Sequence, residues 1–253
     1  DECFRQEENS TIITNSDRIN SNLTALLYDD TFQFYPASDA KEAAQLIRNI
    51  YEKEWTACKK DVDKIQVLSP LRKDTEAGSD ALNIILRDIV NPKKMGYPEL
   101  TNGKTTFREQ DKVMQTKNND EISNGDVGEV LSICKKDGKD YMRVDFGDDR
   151  IMEYDGSEFL PLTHAYAMSV HKSQGSEYPI VILPMLSCFR RMLRRNILYT
   201  AVTRAKKKVI IVGSKRAIAQ AIRTDNINKR NTKFALRLRK VTAALLEEAR
   251  KSA

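Results

Sequence analysis

Hydrophobic positions recur with two different periods along the chain, and the switch between them divides it. Residues 1–60 read as helices. Asn9-Ser10-Thr11 offers a cap, and between Asp39 and Trp55 the residues Ala43, Ala44, Leu46, Ile47, Ile50 and Tyr51 keep helical spacing. Ile65-Gln66-Val67-Leu68 is a short β-run halted by Ser69-Pro70. A helix is expected over 76–90, with Leu82, Ile85, Leu86 and Ile89 on one face and Asn91-Pro92 closing it.

From about residue 107 to 155 the period becomes two. Alternating runs at 112–115, 127–134, 141–146 and 150–154 are separated by Asn124-Gly125-Asp126, Asp137-Gly138, Gly147-Asp148 and Asp155-Gly156. Five of the ten glycines fall between Gly125 and Gly156, which predicts a small antiparallel barrel. Helix–strand alternation then resumes. The apolar run 180–184 is of the kind buried on both faces of a parallel sheet. A helix is expected over 194–206, a second buried strand over 208–213, and a further helix from Ser214 through Ile222. From Thr232 onward Phe234, Leu238, Val241 and Leu245 form one helical stripe. The expected fold is therefore α/β, a parallel sheet interrupted by a β-barrel and followed by a C-terminal helix. Its expected bounds are 1–106 and 159–222 for the α/β domain, 107–158 for the barrel and 223–253 for the tail.

Composition narrows this picture without changing it. Hydrophobic residues are 40% and charged residues 31% of the chain, as in a folded, water-soluble protein. No run approaches the roughly 20 apolar residues of a membrane span, so no membrane partner is expected. Cys3, Cys58, Cys134 and Cys188 lack metal-ligand spacing and read as thiols of a reducing cytoplasm. The chain opens Asp-Glu-Cys-Phe-Arg, without an initiator Met or signal-peptide pattern, and is read as a fragment or a processed product. The net charge of +6 is carried by the tail, where nine Lys and Arg face three acids from Arg223 onward. Such a tail suits a phosphate backbone or, equally, a solvated helix face.

Two segments concentrate chemistry. Tyr166-Ala167-Met168-Ser169-Val170-His171-Lys172-Ser173-Gln174-Gly175-Ser176-Glu177-Tyr178 puts donors, a cation and a flexible glycine at the edge of a buried strand, where ligands gather in open α/β sheets. By spacing alone it could equally be a polar helix start capped by Ser. In Arg195-Asn196-Ile197-Leu198-Tyr199-Thr200-Ala201-Val202-Thr203-Arg204-Ala205-Lys206, Arg204 could be a surface residue, a helix-dipole partner or a planar fork reaching an anionic ligand. Gly103-Lys104-Thr105 looks like the end of a phosphate-binding loop, G-x-x-x-x-G-K-[ST]. Position 98 is Pro, no apolar strand precedes it and no helix pattern follows, so it is set aside. Nor does an apolar strand end in the paired acids that hold Mg²⁺.

In order along the chain, these segments resemble a known family. His171-Lys172-Ser173-Gln174-Gly175-Ser176-Glu177 is similar to helicase motif V, and Leu198-Tyr199-Thr200-Ala201-Val202-Thr203-Arg204-Ala205 to motif VI, of RecD-like superfamily 1 DNA helicases, the exodeoxyribonuclease V alpha-subunit family. Gln110-Asp111-Lys112-Val113-Met114-Gln115 with Asn124-Gly125-Asp126-Val127-Gly128 resembles the SH3-like insertion of those enzymes. Phe4-Arg5-Gln6 resembles the opening of their second RecA-like domain, and Val67-Leu68-Ser69-Pro70 with Leu82-Asn83 the segment after it. Relatives often have Thr where Ser169 stands, and nothing in the family matches the tail.

The resemblance implies a second RecA-like motor domain with an SH3-like insertion. ATP and Mg²⁺ would be shared with a first, N-terminal RecA-like domain absent from this sequence. Arg204 would be the arginine finger, Arg5 a second γ-phosphate contact, and Gln174 and Gly175 the coupling between nucleotide and DNA. Glu177 would approach the ribose. Ser169, His171 and Lys172, with Ser69 and Arg72, would hold single-stranded DNA, translocation would run 5′ to 3′, and nuclease–helicase subunits would be further partners. The competing readings are a Pif-like or relaxase-associated helicase fragment and a non-catalytic nucleic-acid-binding module. Because it lacks the phosphate-binding loop, this chain alone is expected to show no Mg²⁺-dependent ATPase above background; measurable phosphate release would contradict that expectation.

Overall fold

The structure, a computed structural model of the chain, describes residues 10–103, 105–136, 138–155, 161–225, 238, 239, 241 and 242. Helix α1 (Thr11–Asn20) begins where Ser10 accepts a hydrogen bond from the Ile13 amide. Strand β1 (Phe32–Pro36) follows, and then α2 (Ala40–Ala57), capped by Asp39 through the Glu42 amide. Strand β2 (Ile65–Ser69) and helix α3 (Ser79–Val90) lie close to their expected bounds.

The helical reading of residues 1–60 is corrected at β1. Phe32 is fully buried, and the strand runs parallel to the last strand of the domain, pairing Phe32 with Val209. Asp29 turns the chain into it by accepting from the amides of Thr31 and Phe32. Pro36, which donates no ladder bond, is tolerated because β1 is an edge strand.

The insertion is built from β3 (Glu99–Asn102), β4 (Thr105–Arg108), β5 (Lys112–Gln115), β6 (Val127–Lys136), β7 (Lys139–Asp145), β8 (Ile151–Asp155) and β9 (Leu162–His164). Strands β5 to β9 form one antiparallel sheet in the order β8-β7-β6-β5-β9, while β3 and β4 make a separate hairpin. Their side chains close a second core around Phe107, Val113, Val130, Met142, Val144 and Tyr154. That core also takes in Leu100 and Leu162, on either side of the expected bounds 107–158. Gly103, with φ +60°, sits in the turn of the β3–β4 hairpin, so the loop lookalike joins two antiparallel strands rather than a strand and a helix.

Strand β10 (Ala167–Ser169) returns the chain to the first sheet, which β11 (Tyr178–Met185), α4 (Arg195–Val202), β12 (Ala205–Gly213) and α5 (Lys215–Arg223) complete. The sheet is parallel throughout, in the order β1-β12-β11-β2-β10. Successive residues of a strand point to opposite faces, and Val209, Ile210, Ile211 and Val212 are all buried, so both faces are covered. Helix α4 stops before the expected residue 206. The Thr203 hydroxyl donates back to the Tyr199 and Thr200 carbonyls, and Ala205 and Lys206 already belong to β12. Among the described residues no helix is long and apolar enough to cross a membrane. In the tail the described residues are 223–225, where α5 ends, and Leu238, Arg239, Val241 and Thr242, which are helical. Phe234 and Leu245 of the expected stripe lie outside the described residues, as do Cys3 and most of the basic tail.

The two cores are joined through Asp111, which is fully buried. One carboxylate oxygen accepts from Asn91 (2.9 Å) and the Tyr166 hydroxyl (3.2 Å). The other accepts from the Arg108 amide (2.8 Å) and lies 3.3 Å from His164 Nε2. Neighbouring Lys112 is also buried and reaches out to Asp63 and the Val62 carbonyl. Burial pushes its ammonium below the usual lysine range, and Asp63 opposes that shift. Asn83 adds a third tie, accepting from the Ala167 amide and donating to the His164 and Ala167 carbonyls. Asp111→Ala would strand several buried donors at once, each worth about 1–3 kcal/mol. A loss of about 3 kcal/mol in denaturant unfolding is expected, against less than about 0.5 kcal/mol for an exposed control substitution.

Candidate functional site

Parallel pairing sets the geometry of the candidate site. Strand β10 lies level with β2, Ser169 opposite Ser69, whereas β11 meets β2 at Ile180 opposite Ile65. Residues 170–177 therefore carry the chain across β2 and back by four residue levels, roughly 13 Å along the strand direction. No α-helix fits into that crossover. It is a 3₁₀ turn over Val170–Ser173, closed by the Ser173 hydroxyl on the Val170 carbonyl, and then a bend at Gly175 with φ +94°. The alternative of a Ser-capped helix start is thus replaced by a 3₁₀ turn in which Ser169 makes no side-chain cap.

The front of the crossover stands at the carboxyl ends of β2 and β10. His171 is exposed, and Ser169 and Lys172 are half-buried. Burial lowers the Lys172 ammonium from its ordinary range, the charge of Arg72 lowers it further, and Asp80 partly offsets both. Arg72 is exposed and paired with Asp80 at 3.0 Å. Ser69 is different. It is fully buried, its hydroxyl donating to the Ala77 carbonyl and accepting from the Leu71 amide. The expectation that it touches a bound strand is corrected: Ser69 shapes the loop that presents Arg72. The barrel reaches the same place, since a Cβ on Gly125 would lie 3.9 Å from the Lys172 carbonyl.

The rear of the crossover stands at the opposite edge. Arg204 lies in the turn between α4 and β12; its carbonyl accepts from the Tyr178 amide, and its Nη1 donates to the Ser176 carbonyl at 3.1 Å. Its Nε is buried without a hydrogen-bond partner, and no carboxylate pairs with the guanidinium among the described residues. Glu177 pairs with Lys206 at 3.0 Å. Burial raises the Tyr178 hydroxyl above its usual range, against the nearby Arg204 charge. Gln174 and Gly175 are exposed between the two edges. Arg5, with the whole Phe4-Arg5-Gln6 segment, lies outside the described residues.

The structure thus places Arg204, Ser176 and Glu177 at one edge, His171, Lys172, Ser169 and Arg72 at the other, and Gln174 and Gly175 between them. Sequence reasoning missed Ser176, Lys206 and Asp80 as partners. Their roles follow from strand register and loop return, which spacing does not reveal.

Residues 164–212 match the UvrD-like helicase C-terminal domain, and residues 82–146 match the ATP-dependent RecD-like DNA helicase SH3 domain. The chain belongs to the RecD-like helicases. It is 39% identical over 179 residues to the ATP-dependent RecD2 DNA helicase of Deinococcus radiodurans, covering 69% of this chain and 23% of that protein. It is 38% identical over 102 residues to the RecBCD enzyme subunit RecD of Mycobacterium tuberculosis, covering 40% of this chain and 17% of the subunit. The RecD-like chain thus spans about a quarter or less of these relatives. Pif1 helicase from Candida albicans shares its fold, with a TM-score of 0.52 at 15% identity over 94% of this chain and 60% of that one.

In the RecD-like chain Gly175 is the one crossover residue with a left-handed backbone, and an added Cβ there meets nothing within 4 Å. Gly175→Ala therefore tests backbone freedom without a clash. About 1 kcal/mol of destabilisation is expected by thermal unfolding; an unchanged or raised melting temperature would show that the bend does not need glycine.

Proposed function

We infer that this chain is the C-terminal motor half of an ATP-dependent helicase that moves 5′ to 3′ along single-stranded DNA. What carries the reading is the crossover at 170–177, which joins strand-contact candidates at one sheet edge to nucleotide-contact candidates at the other. An anionic oxygen suits Arg204, whose guanidinium has a buried Nε without a partner and no opposing carboxylate among the described residues. A permanently charged planar fork held at one edge can stabilise charge developing on a transferred phosphoryl group without reorganising.

In this reading Arg204 acts as the arginine finger towards ATP held by the phosphate-binding loop of a preceding RecA-like domain, and Arg5 is a second phosphate contact. Glu177, steadied by Lys206, faces the ribose side. Mg²⁺, when bound, neutralises phosphate charge, and its ligands would come from the preceding domain. Gln174 and Gly175 lie between the edges, so a shift of Ser176 against Arg204 would reach His171 and Lys172 through the Gly175 bend and the 3₁₀ turn. His171, Lys172, Ser169 and Arg72 hold the backbone of the strand by charge and hydrogen bonding, which makes binding salt-sensitive and largely independent of sequence. Nuclease–helicase subunits are partners in this proposal, because a relative bears the name of a RecBCD subunit.

In a protein containing both RecA-like domains, Arg204→Ala is expected to lower DNA-stimulated ATPase by about 10³–10⁵-fold while strand affinity stays near normal. Lys172→Ala should do the converse, weakening strand binding before it affects basal turnover. Retained ATPase in the Arg204 variant would remove that residue from the role.

A further inference from the structure

One buried side chain touches both feet of the crossover. Tyr178, the first residue of β11, is 8% exposed. Its hydroxyl reaches back to β10 and donates to the sulfur of Met168 at 3.7 Å. Met168 is itself buried and immediately precedes Ser169, at the strand-contact edge. The Ser176 hydroxyl bonds to the same phenol oxygen.

The backbone of Tyr178 faces the other way. Its amide donates to the Arg204 carbonyl at 2.9 Å, and Arg204 Nη1 donates to the Ser176 carbonyl at 3.1 Å. Tyr178, Ser176 and Arg204 therefore close a ring of hydrogen bonds, tied to β10 through Met168. Tyr178 itself reaches neither the exposed strand-contact side chains nor the free side of the guanidinium.

Two routes thus join the edges. The backbone route runs through Gln174 and Gly175, both exposed, and Gly175 has open space where a Cβ would stand. A glycine bend of this kind yields readily. The side-chain route runs through a phenol packed in the main core, with only two rotatable side-chain bonds. Close-packed interiors transmit a displacement that a pliant loop absorbs. We propose that Tyr178 is a positioning residue: through its hydroxyl, a strand held at Ser169, His171 and Lys172 fixes Ser176 and so the direction in which Arg204 points. The proposal rests on the roles given to the two edges above.

Tyr178→Phe deletes the hydroxyl and keeps the ring, and thermal melting checks that the variant folds like the wild type. On the full 253-residue chain, hydrogen exchange is followed with and without a saturating oligothymidylate. In the wild type the strand is expected to slow exchange over 199–206, which holds the Arg204 turn and none of the strand-contact candidates. In Tyr178→Phe that slowing should be lost while slowing over 168–173 persists. In a protein containing both RecA-like domains, the strand and a non-hydrolysable ATP analogue should each tighten binding of the other. Both effects should shrink by the same factor in the variant, about fivefold or more, because such coupling is reciprocal. Ser176→Ala breaks the link from its other end, and the double variant should lose no more than either single one. Slowing over 199–206 that survives in Tyr178→Phe, or is absent from the wild type, overturns the proposal, as do additive losses in the double variant. Weaker binding of both ligands with their mutual effect intact also overturns it, since that is a purely structural part. If Arg204→Ala loses ATPase while Tyr178→Phe keeps the coupling, this inference alone falls. If strand and analogue ignore each other in the wild type, the roles of the two edges fall with it.

Discussion

Parallel strands run the same way, so each connection between them must bring the chain back from one edge of the sheet to the other. In this protein the connection from β10 to β11 does so in residues 170–177, while also stepping over β2. That constraint leaves no room for the usual helix and draws the polar segment out along the edge of the sheet. It also explains the 3₁₀ turn at Val170–Ser173 and the left-handed bend at Gly175, which are compact ways of redirecting a short chain. The turn between α4 and β12 comes to the same edge because β11 and β12 are paired, Tyr178 opposite Ala205. Arg204 meets Ser176 as a consequence of sheet register.

The barrel is held to this frame by buried polar groups rather than by an oily seam. Asp111 lies in the insertion and Tyr166 and Asn91 in the segments flanking it, yet all three share one hydrogen-bond network. Such networks are costly when incomplete and orienting when satisfied. The barrel is thereby given a defined attitude to the sheet, with Gly125 against the Lys172 backbone and Thr163 across from α3. A hydrophobic contact of the same area would tolerate sliding.

Much of the fold was legible because long elements carry their period. The spacing of Ala43, Ile47, Ile50 and Tyr51, or the unbroken run in β12, leaves little choice. Short elements were harder. Strand β1 has only five residues, and β3, β4 and β9 are shorter still; their pairing partners, not their own residues, make them strands. The candidate site was legible where charge and glycine stand together, at His171, Lys172, Gly175 and Arg204. Ser69 was assigned to a bound strand by resemblance alone, and its own residues give no sign that its hydroxyl is used up inside the turn it closes. Lys206 and Asp80 gave no signal, since each matters only through a partner brought close by folding.

The chain leaves the first sheet after β2 and comes back to it as β10, directly alongside β2. Gln66 donates to the Tyr166 carbonyl across a separation of 100 residues. Closing so long a loop as a random coil is entropically costly, and non-local pairing of this kind slows folding. A barrel that collapses first on its own core would hold the two ends of the loop near each other before β10 has docked. The insertion would then set the order of assembly, with the strand that leads into the crossover among the last to be laid down.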